Sequence, residues 1–321
     1  MKAASQTKPA YRELVKFDAL IKAAQTVETQ TCAVAHPCDA TSLAAAIEAC
    51  ELKIITPILI GPKHRIEKVA EQEELDISGL ELIDTQHSHA SAAQAVAQVK
   101  AGRASLLMKG SLHTDELMHE VVQTQTGLKT ARRLSHVFLM DVPTYEEPLF
   151  ITDAAINIAP DLNCKADIVQ NAIDLHIALG LGEPRVAILS AVEQVNPKIG
   201  STIDAAALCK MAERGQITAG ILDGPLAMDN AISPRAAQMK GLTSAVAGRA
   251  QILVVPDLEA GNMLAKNLIF LAGADAAGVV VGAKVPIILT SRADTRLARL
   301  ASCAVATLYA HHLVTSQPQI R

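Results

Sequence analysis

The feature that most constrains this chain is an alternation of short β-branched runs with longer alanine-rich stretches, repeated from end to end. Gly, Pro or Asp bounds each short run, which is typical of a buried strand, while the longer stretches have helical periodicity. The predicted strands are 31–35, 54–60, 82–84, 105–108, 185–191, 220–223, 252–255, 278–281 and 285–290. The predicted crossover helices are 39–50, 88–101, 161–179, 202–214, 259–271 and 294–312. Such units place strands in parallel, so we expect an α/β fold with doubly wound sheets.

The length of 321 residues favours two domains. One stretch breaks the alternation, because the apolar runs 137–140 and 148–151 are joined by a polar loop with a proline and read as a hairpin. A new α/β series begins after it, which places a domain boundary near residue 150. No low-complexity linker separates the halves, so we expect them to pack directly and to form a cleft.

Charge and hydropathy exclude several classes of function. The formal net charge is -4 without long basic runs, so nucleic acid is not an expected partner. No segment approaches the 18 or so apolar residues that cross a membrane, and no apolar leader is apparent. The six cysteines have no zinc-site spacing and are expected to be reduced. We therefore expect a cytoplasmic protein.

The loop after the predicted strand 105–108 carries small and basic groups just before a helix. Lys109, Gly110, Ser111, His113 and Thr114 stand there, and a helix start of this kind suits an anion. An ordinary capped turn, with Thr114 as the N-cap, explains the segment as well and is the favoured alternative.

Two further strand ends carry candidate groups. Asp223 opens an eleven-residue stretch that reads as a long loop and could orient a substrate, or could simply be solvated. The second strand end follows the predicted strand 252–255, and there Asp257 has the position of a helix N-cap, a structural role. The first turns of the helix that follows contain Gly261, Asn262 and Lys266. Gly and Asn are disfavoured inside a helix, so a functional role for this segment is slightly favoured over a structural one.

Ser291 and Arg292 stand at the start of the last predicted helix. A guanidinium beside a hydroxyl and backbone amides can hold phosphate in a bidentate geometry, so this pair is the best oxyanion-binding candidate in the sequence. The alternative is that Ser291 caps the helix and Arg292 is solvated. Neither a dinucleotide-binding glycine fingerprint nor a P-loop is present in the sequence.

Taken together, these segments resemble the phosphate acetyl/butyryl transferase family over nearly the whole chain after about residue 20. The segments that carry the resemblance are MKGSLHTDELM at 108–118, FITDAAINIAPDL at 150–162, GILDGPLAMDNAIS at 220–233, VVPDLEAGNMLAKNL at 254–268 and VPIILTSRADT at 285–295. Five such segments in order are more specific than any single motif.

The resemblance implies a reversible reaction, acyl-CoA plus phosphate giving acyl phosphate plus CoA, with acetyl as the default acyl group and propanoyl or butyryl as close alternatives. It implies a homodimer of chains with two three-layer α/β/α domains, in the plan of isocitrate and isopropylmalate dehydrogenases. The domains would be 1–150 plus 290–321, and 151–289. CoA enters as a substrate, and no metal or bound redox cofactor is expected.

The resemblance also assigns roles. It implies that Ser291 hydrogen-bonds the reacting group and that Arg292 binds phosphate. Acetyl-specific members place a proposed catalytic Asp where this chain has Ala298, so Asp294 or solvent is expected to take the thiol proton. Two alternatives follow: an NAD-dependent β-decarboxylating dehydrogenase with a similar two-domain plan, and a CoA-binding protein that has lost catalysis.

Overall fold

The computed structural model describes residues 15–289 and 294–316. Within them the strands are β1 (Gln30–Ala35), β2 (Ile55–Gly61), β3 (Glu81–Asp84), β4 (Leu106–Lys109), β5 (Ser135–Asp141), β6 (Leu149–Thr152), β7 (Arg185–Leu189), β8 (Ile221–Leu226), β9 (Ile252–Val254), β10 (Asp275–Val281) and β11 (Ile287–Ile288). The helices are α1 (Val15–Ala24), α2 (Ala40–Glu51), α3 (Lys63–Gln72), α4 (Ser88–Lys100), α5 (Thr114–Val121), α6 (Leu162–Ala178), α7 (Gly200–Glu213), α8 (Met228–Ile232), α9 (Pro234–Met239), α10 (Leu258–Ala272) and α11 (Arg296–Thr315). Every predicted strand and crossover helix therefore has a counterpart.

All these strands form one mixed sheet in the order β3-β2-β1-β4-β11-β10-β5-β6-β9-β7-β8. We expected a separate sheet in each of two domains, and this expectation is wrong for the described strands. The reason is the central group, where β10 pairs antiparallel with both β11 and β5, and β5 with β6. These antiparallel pairs join two outer groups of parallel strands, and β5 and β6 form the predicted hairpin.

The antiparallel centre reverses the direction of the strands across the sheet. Strands β1 to β4 and β11 run one way, whereas β6 to β9 run the other. The carboxyl ends of the two outer groups thus lie at opposite edges of the sheet. Loops after strands in one half do not converge with all of those in the other half.

Successive strand residues point to opposite layers, as the period of two requires. Cys32 and Val34 face one layer, where α1, α2, α6, α7 and α11 cover a core that runs across both halves of the sheet. Ala33 and Ala35 face the opposite layer. In that layer the core is split into two clusters, one under α4 and α5 and the other under α8, α9 and α10.

The stretch after residue 223 is not a loop. Strand β8 continues to Leu226, and the short helices α8 and α9 follow it. Helices this short have too few turns to show a periodic pattern, which explains why the sequence did not reveal them. Within residues 15–289 and 294–316, no helix has the length and apolar character that crossing a bilayer requires.

Candidate active site

The cavity of greatest interest lies where the second layer is split, between α5 on one side and α10 on the other. Its volume is about 760 Å³, and β5 contributes to its wall. The predicted site residues that line it are Lys109, His113, Thr114, Asn262, Lys266 and Asp294. Residues that are far apart in sequence, and that belong to both halves of the sheet, therefore meet at one cavity.

Two lysines, Lys109 and Lys266, are among the polar groups that line this cavity. The Lys109 ammonium donates to the carbonyl oxygens of Gly110 and Leu112 at 3.1 and 3.3 Å, which fixes it at the end of β4. His113 and Lys266 are exposed at the opening. His113 is the N-cap of α5, so the alternative role of Thr114 as the cap is wrong. Cations beside a helix start make this end of the cavity suitable for a phosphate group.

The cavity also has apolar lining residues, and these were missed at the sequence level. Phe138 of β5, Leu258 and Phe270 of α10, and Leu289 after β11 line it. His136, which also lines the cavity, is buried on β5. The only sequence signal was a histidine inside an apolar strand, and such a residue is usually a packed core group.

Gly110 and Ser111 hold the end of β4 against the end of β1. The Gly110 N–H donates to Ala35 O at 2.8 Å, and the Ser111 N–H and hydroxyl donate to His36 O at 2.8 and 2.9 Å. Ser111 lines a neighbouring cavity of about 630 Å³, which shares Leu112 and His113 with the first cavity. Ser111 thus lies in the wall of the neighbouring cavity, and Gly110 holds the end of β4 beside Lys109.

In α10 some of the predicted site residues position the helix, and others line the cavity. The Asp257 carboxylate caps the helix by accepting from the Ala260 N–H at 2.9 Å. A Cβ at Gly261 would lie 2.9 Å from Asp153 O, so glycine allows the helix to approach this backbone closely. Asn262 lines the cavity and donates to Ala154 O at 3.3 Å. Asp257 and Gly261 therefore position the helix and do not themselves line the cavity.

The remaining candidates lie elsewhere. Asp223 is on the edge strand β8, where its carboxylate accepts from the Gly224 N–H at 2.8 Å, and it does not line the cavity. Ser291 and Arg292 lie outside the described residues, although Leu289 and Asp294 on either side of them line the cavity. Ala298 is 3% exposed in the first turn of α11, beneath the Thr295 cap.

No group of three or more His, Cys, Asp or Glu residues that could hold a metal ion occurs in the described part of the chain. The cysteines there have no disulfide partners, and burial raises the pKa of the Cys32, Cys38, Cys209 and Cys303 thiols. The thiolate form is therefore disfavoured at these positions, and a nucleophilic role for them is not supported.

Comparisons with known proteins agree with this architecture. A family model described as phosphate acetyl/butaryl transferase matches residues 85–307. The phosphate acetyltransferase of Rhizobium meliloti is 68% identical over 92% of this chain and 93% of its own length. The phosphate butyryltransferase of Clostridium beijerinckii is 41% identical over 92% and 97%.

Among solved structures, a branched-chain phosphotransacylase from Enterococcus faecalis V583 superposes with a TM-score of 0.77 at 30% identity, over 88% of this chain and 100% of that one. Sequence and fold therefore lead to the same assignment. This chain belongs to the phosphate acetyl/butyryl transferase family.

Proposed function

We propose that this chain transfers an acetyl group reversibly between CoA and phosphate, and that the cavity between α5 and α10 is where it does so. The observation that carries the proposal is that this one cavity is lined both by the lysines Lys109 and Lys266 and by apolar side chains such as Phe138. Phosphate and an acyl group require these two environments side by side. The 68% identical acetyltransferase supports acetyl over longer acyl groups.

In the proposed reaction, the thiolate sulfur of CoA attacks the carbonyl carbon of acetyl phosphate. A C–S bond forms, and the C–O bond breaks as phosphate leaves. Lys109, Lys266 and Arg292 stabilise the phosphate charge, His113 hydrogen-bonds the phosphate, and Ser291 hydrogen-bonds the reacting group. Asp294 lines the same cavity and takes the thiol proton, a role that Ala298 has no group to perform. An acyl phosphate is already activated, so no metal or redox cofactor is needed.

The test is an assay of acetyl-CoA with phosphate in the presence of a thiol reagent, with and without a chelator. We expect CoA release that depends on phosphate and is unchanged by chelation. CoA binding without release would instead support a protein that has lost catalysis, which is the alternative raised by Ala298. Oxidation of a hydroxy acid with NAD would support the dehydrogenase alternative, against which the family membership argues.

We also propose a cytoplasmic homodimer, with the domains 1–150 plus 290–321 and 151–289 facing each other across the cavity. Apolar side chains on α10 support the dimer, since Met263, Phe270 and Leu271 are 66%, 70% and 80% exposed. Light scattering should give twice the chain mass of 33.9 kDa. Leu271→Lys should shift the mass towards one chain, and a parental protein already at one chain mass would contradict the dimer.

A further inference from the structure

His136 lies in the centre of the sheet and faces the cavity. Its neighbour Val137 belongs to the continuous core on the other face of the sheet, whereas His136 and Phe138 line the cavity. The His136 side chain is 2% exposed, and its ring packs edge-on against Phe138 with a centroid distance of 4.3 Å. Strand β5 thus presents an imidazole to the cavity, beside the apolar side chain of Phe138.

One ring nitrogen of His136 has no hydrogen-bond partner among the described residues. Its Nδ1 atom is buried, and no residue in 15–289 or 294–316 hydrogen-bonds to it. The backbone carbonyl of His136, in contrast, accepts from the Thr152 hydroxyl at 2.8 Å. On the adjacent strand a Cβ at Gly278 would lie 3.0 Å from His136 Nε2, so this glycine leaves room for the ring. Nδ1 has almost no accessible surface, so the ring atom that a ligand in the cavity can meet is Nε2, the nitrogen for which Gly278 leaves room.

Burial also fixes the charge of the ring. It lowers the pKa of His136 to about 4, although the nearby Asp153 carboxylate acts in the opposite direction. That carboxylate already accepts from the Ala155 N–H at 2.9 Å and from the Asn157 side chain at 2.6 Å. At neutral pH the imidazole is therefore uncharged and offers one N–H donor and one acceptor.

A neutral donor among apolar side chains suits a carbonyl oxygen better than a phosphate group, which the lysines of the same cavity bind more strongly. The acyl group needs such a donor, because negative charge develops on its oxygen during transfer. Phe138, Leu258 and Leu289 provide apolar surroundings for the acyl carbons beside it.

We propose that His136 donates a hydrogen bond to the carbonyl oxygen of the acyl group and is a further catalytic residue of the transfer. As the thiolate attacks the carbonyl carbon, the electron pair of the C=O bond moves to this oxygen. When the C=O bond re-forms, the C–O bond to phosphate breaks and phosphate leaves with that electron pair. His136 keeps its proton throughout. This inference rests on the proposed acyl transfer.

The test compares the parental enzyme with His136→Leu and His136→Gln, using acetyl phosphate and CoA. Leu removes the donor, and we expect kcat to fall about 10-fold or more while the KM values change little, because the bond strengthens in the transition state. Gln keeps a neutral N–H donor and should recover part of the lost rate. Full kcat in a folded His136→Leu enzyme would overturn the inference.

His176 offers a matched control. It is also buried, burial lowers its pKa, and its ring packs against that of Phe150 with a centroid distance of 5.1 Å. Its ring, however, bonds to Gly182 O at 2.9 Å and does not line the cavity. His176→Leu should lose stability but keep the parental kcat. An equal loss of kcat in both variants would show a structural effect and would also overturn the role of His136.

A second measurement needs no variant to fold. The carbonyl ¹³C resonance of acetyl-CoA labelled at that carbon should move downfield on binding to the parental enzyme, as hydrogen bonding to the oxygen requires. An unmoved resonance with bound acetyl-CoA would contradict the inference. Failure of the parental enzyme to release CoA would instead contradict the proposed function itself, so the two failures are distinguishable.

Discussion

Arg292→Lys is expected to weaken the apparent affinity for phosphate by about 10- to 100-fold, because a planar guanidinium can donate two parallel bonds to phosphate and an ammonium cannot. The variant keeps the positive charge, so CoA affinity and the folded state should stay close to parental. Initial rates at varied phosphate and fixed acetyl-CoA give the apparent KM. The residue follows Leu289 by three positions, and Leu289 lines the cavity.

Arg296→Lys serves as the control, because it makes the same exchange four residues further along. The Arg296 side chain is 77% exposed, pairs with Glu48, and does not line the cavity. Its kinetics should therefore be parental. If Arg292→Lys also behaves like the parental enzyme, Arg292 is only a helix-end residue, and the phosphate must be bound by the lysines of the cavity.

Gly110→Ala is expected to lower the free energy of unfolding by about 3 kcal/mol, in the upper part of the range for overpacked interiors. A Cβ at this position would lie 2.5 Å from both Ala35 O and His36 O, and these are backbone atoms that cannot rotate away. The strands β1 and β4 would have to separate at their ends. Urea unfolding should show a lower midpoint with an unchanged slope.

Gly79→Ala is the matched control for this substitution. Nothing lies within 4 Å of a Cβ built on Gly79, and its φ is not in the left-handed region. Ala should be neutral or slightly stabilising there, because it restricts the unfolded chain. Equal midpoints for the two variants would mean that the ends of β1 and β4 move apart easily. Gly110 would then not fix the end of β4 beside Lys109.

The secondary structure was largely predictable, because apolar periodicity reports local conformation. The strand 31–35 and the helix 161–179, for example, match β1 and α6 within one residue at each end. The single sheet was not predictable, because strand pairing across the sheet depends on tertiary contacts. Only the hairpin, β5 and β6, gave a local signal of antiparallel pairing, and the pairing of β10 with β5 gave none.

The candidate site was predictable where it depends on loops after strands. Lys109 and His113 came from such a loop, and the structure places both at one cavity. Asp223 came from the same reasoning but lies inside β8, because that strand continues to Leu226, and β8 is at the far edge of the sheet. His136 and Phe138 were missed, since a cavity in the middle of a sheet face exposes side chains that look like core residues in the sequence.

One helical layer crosses the whole sheet and limits how far the two halves of the molecule can move against each other. Its helices are α1, α2, α6, α7 and α11. A swing of one half against the other would pull apart the tightly packed side chains of the core beneath that layer, and interiors of this density resist such deformation. On the opposite face the cavity interrupts the packing between α5 and α10, so a shift of one of these helices against the other disturbs fewer buried contacts. Substrate entry and product release should therefore depend on small sliding movements of α5 and α10, while the sheet and the continuous core on its other face stay in place.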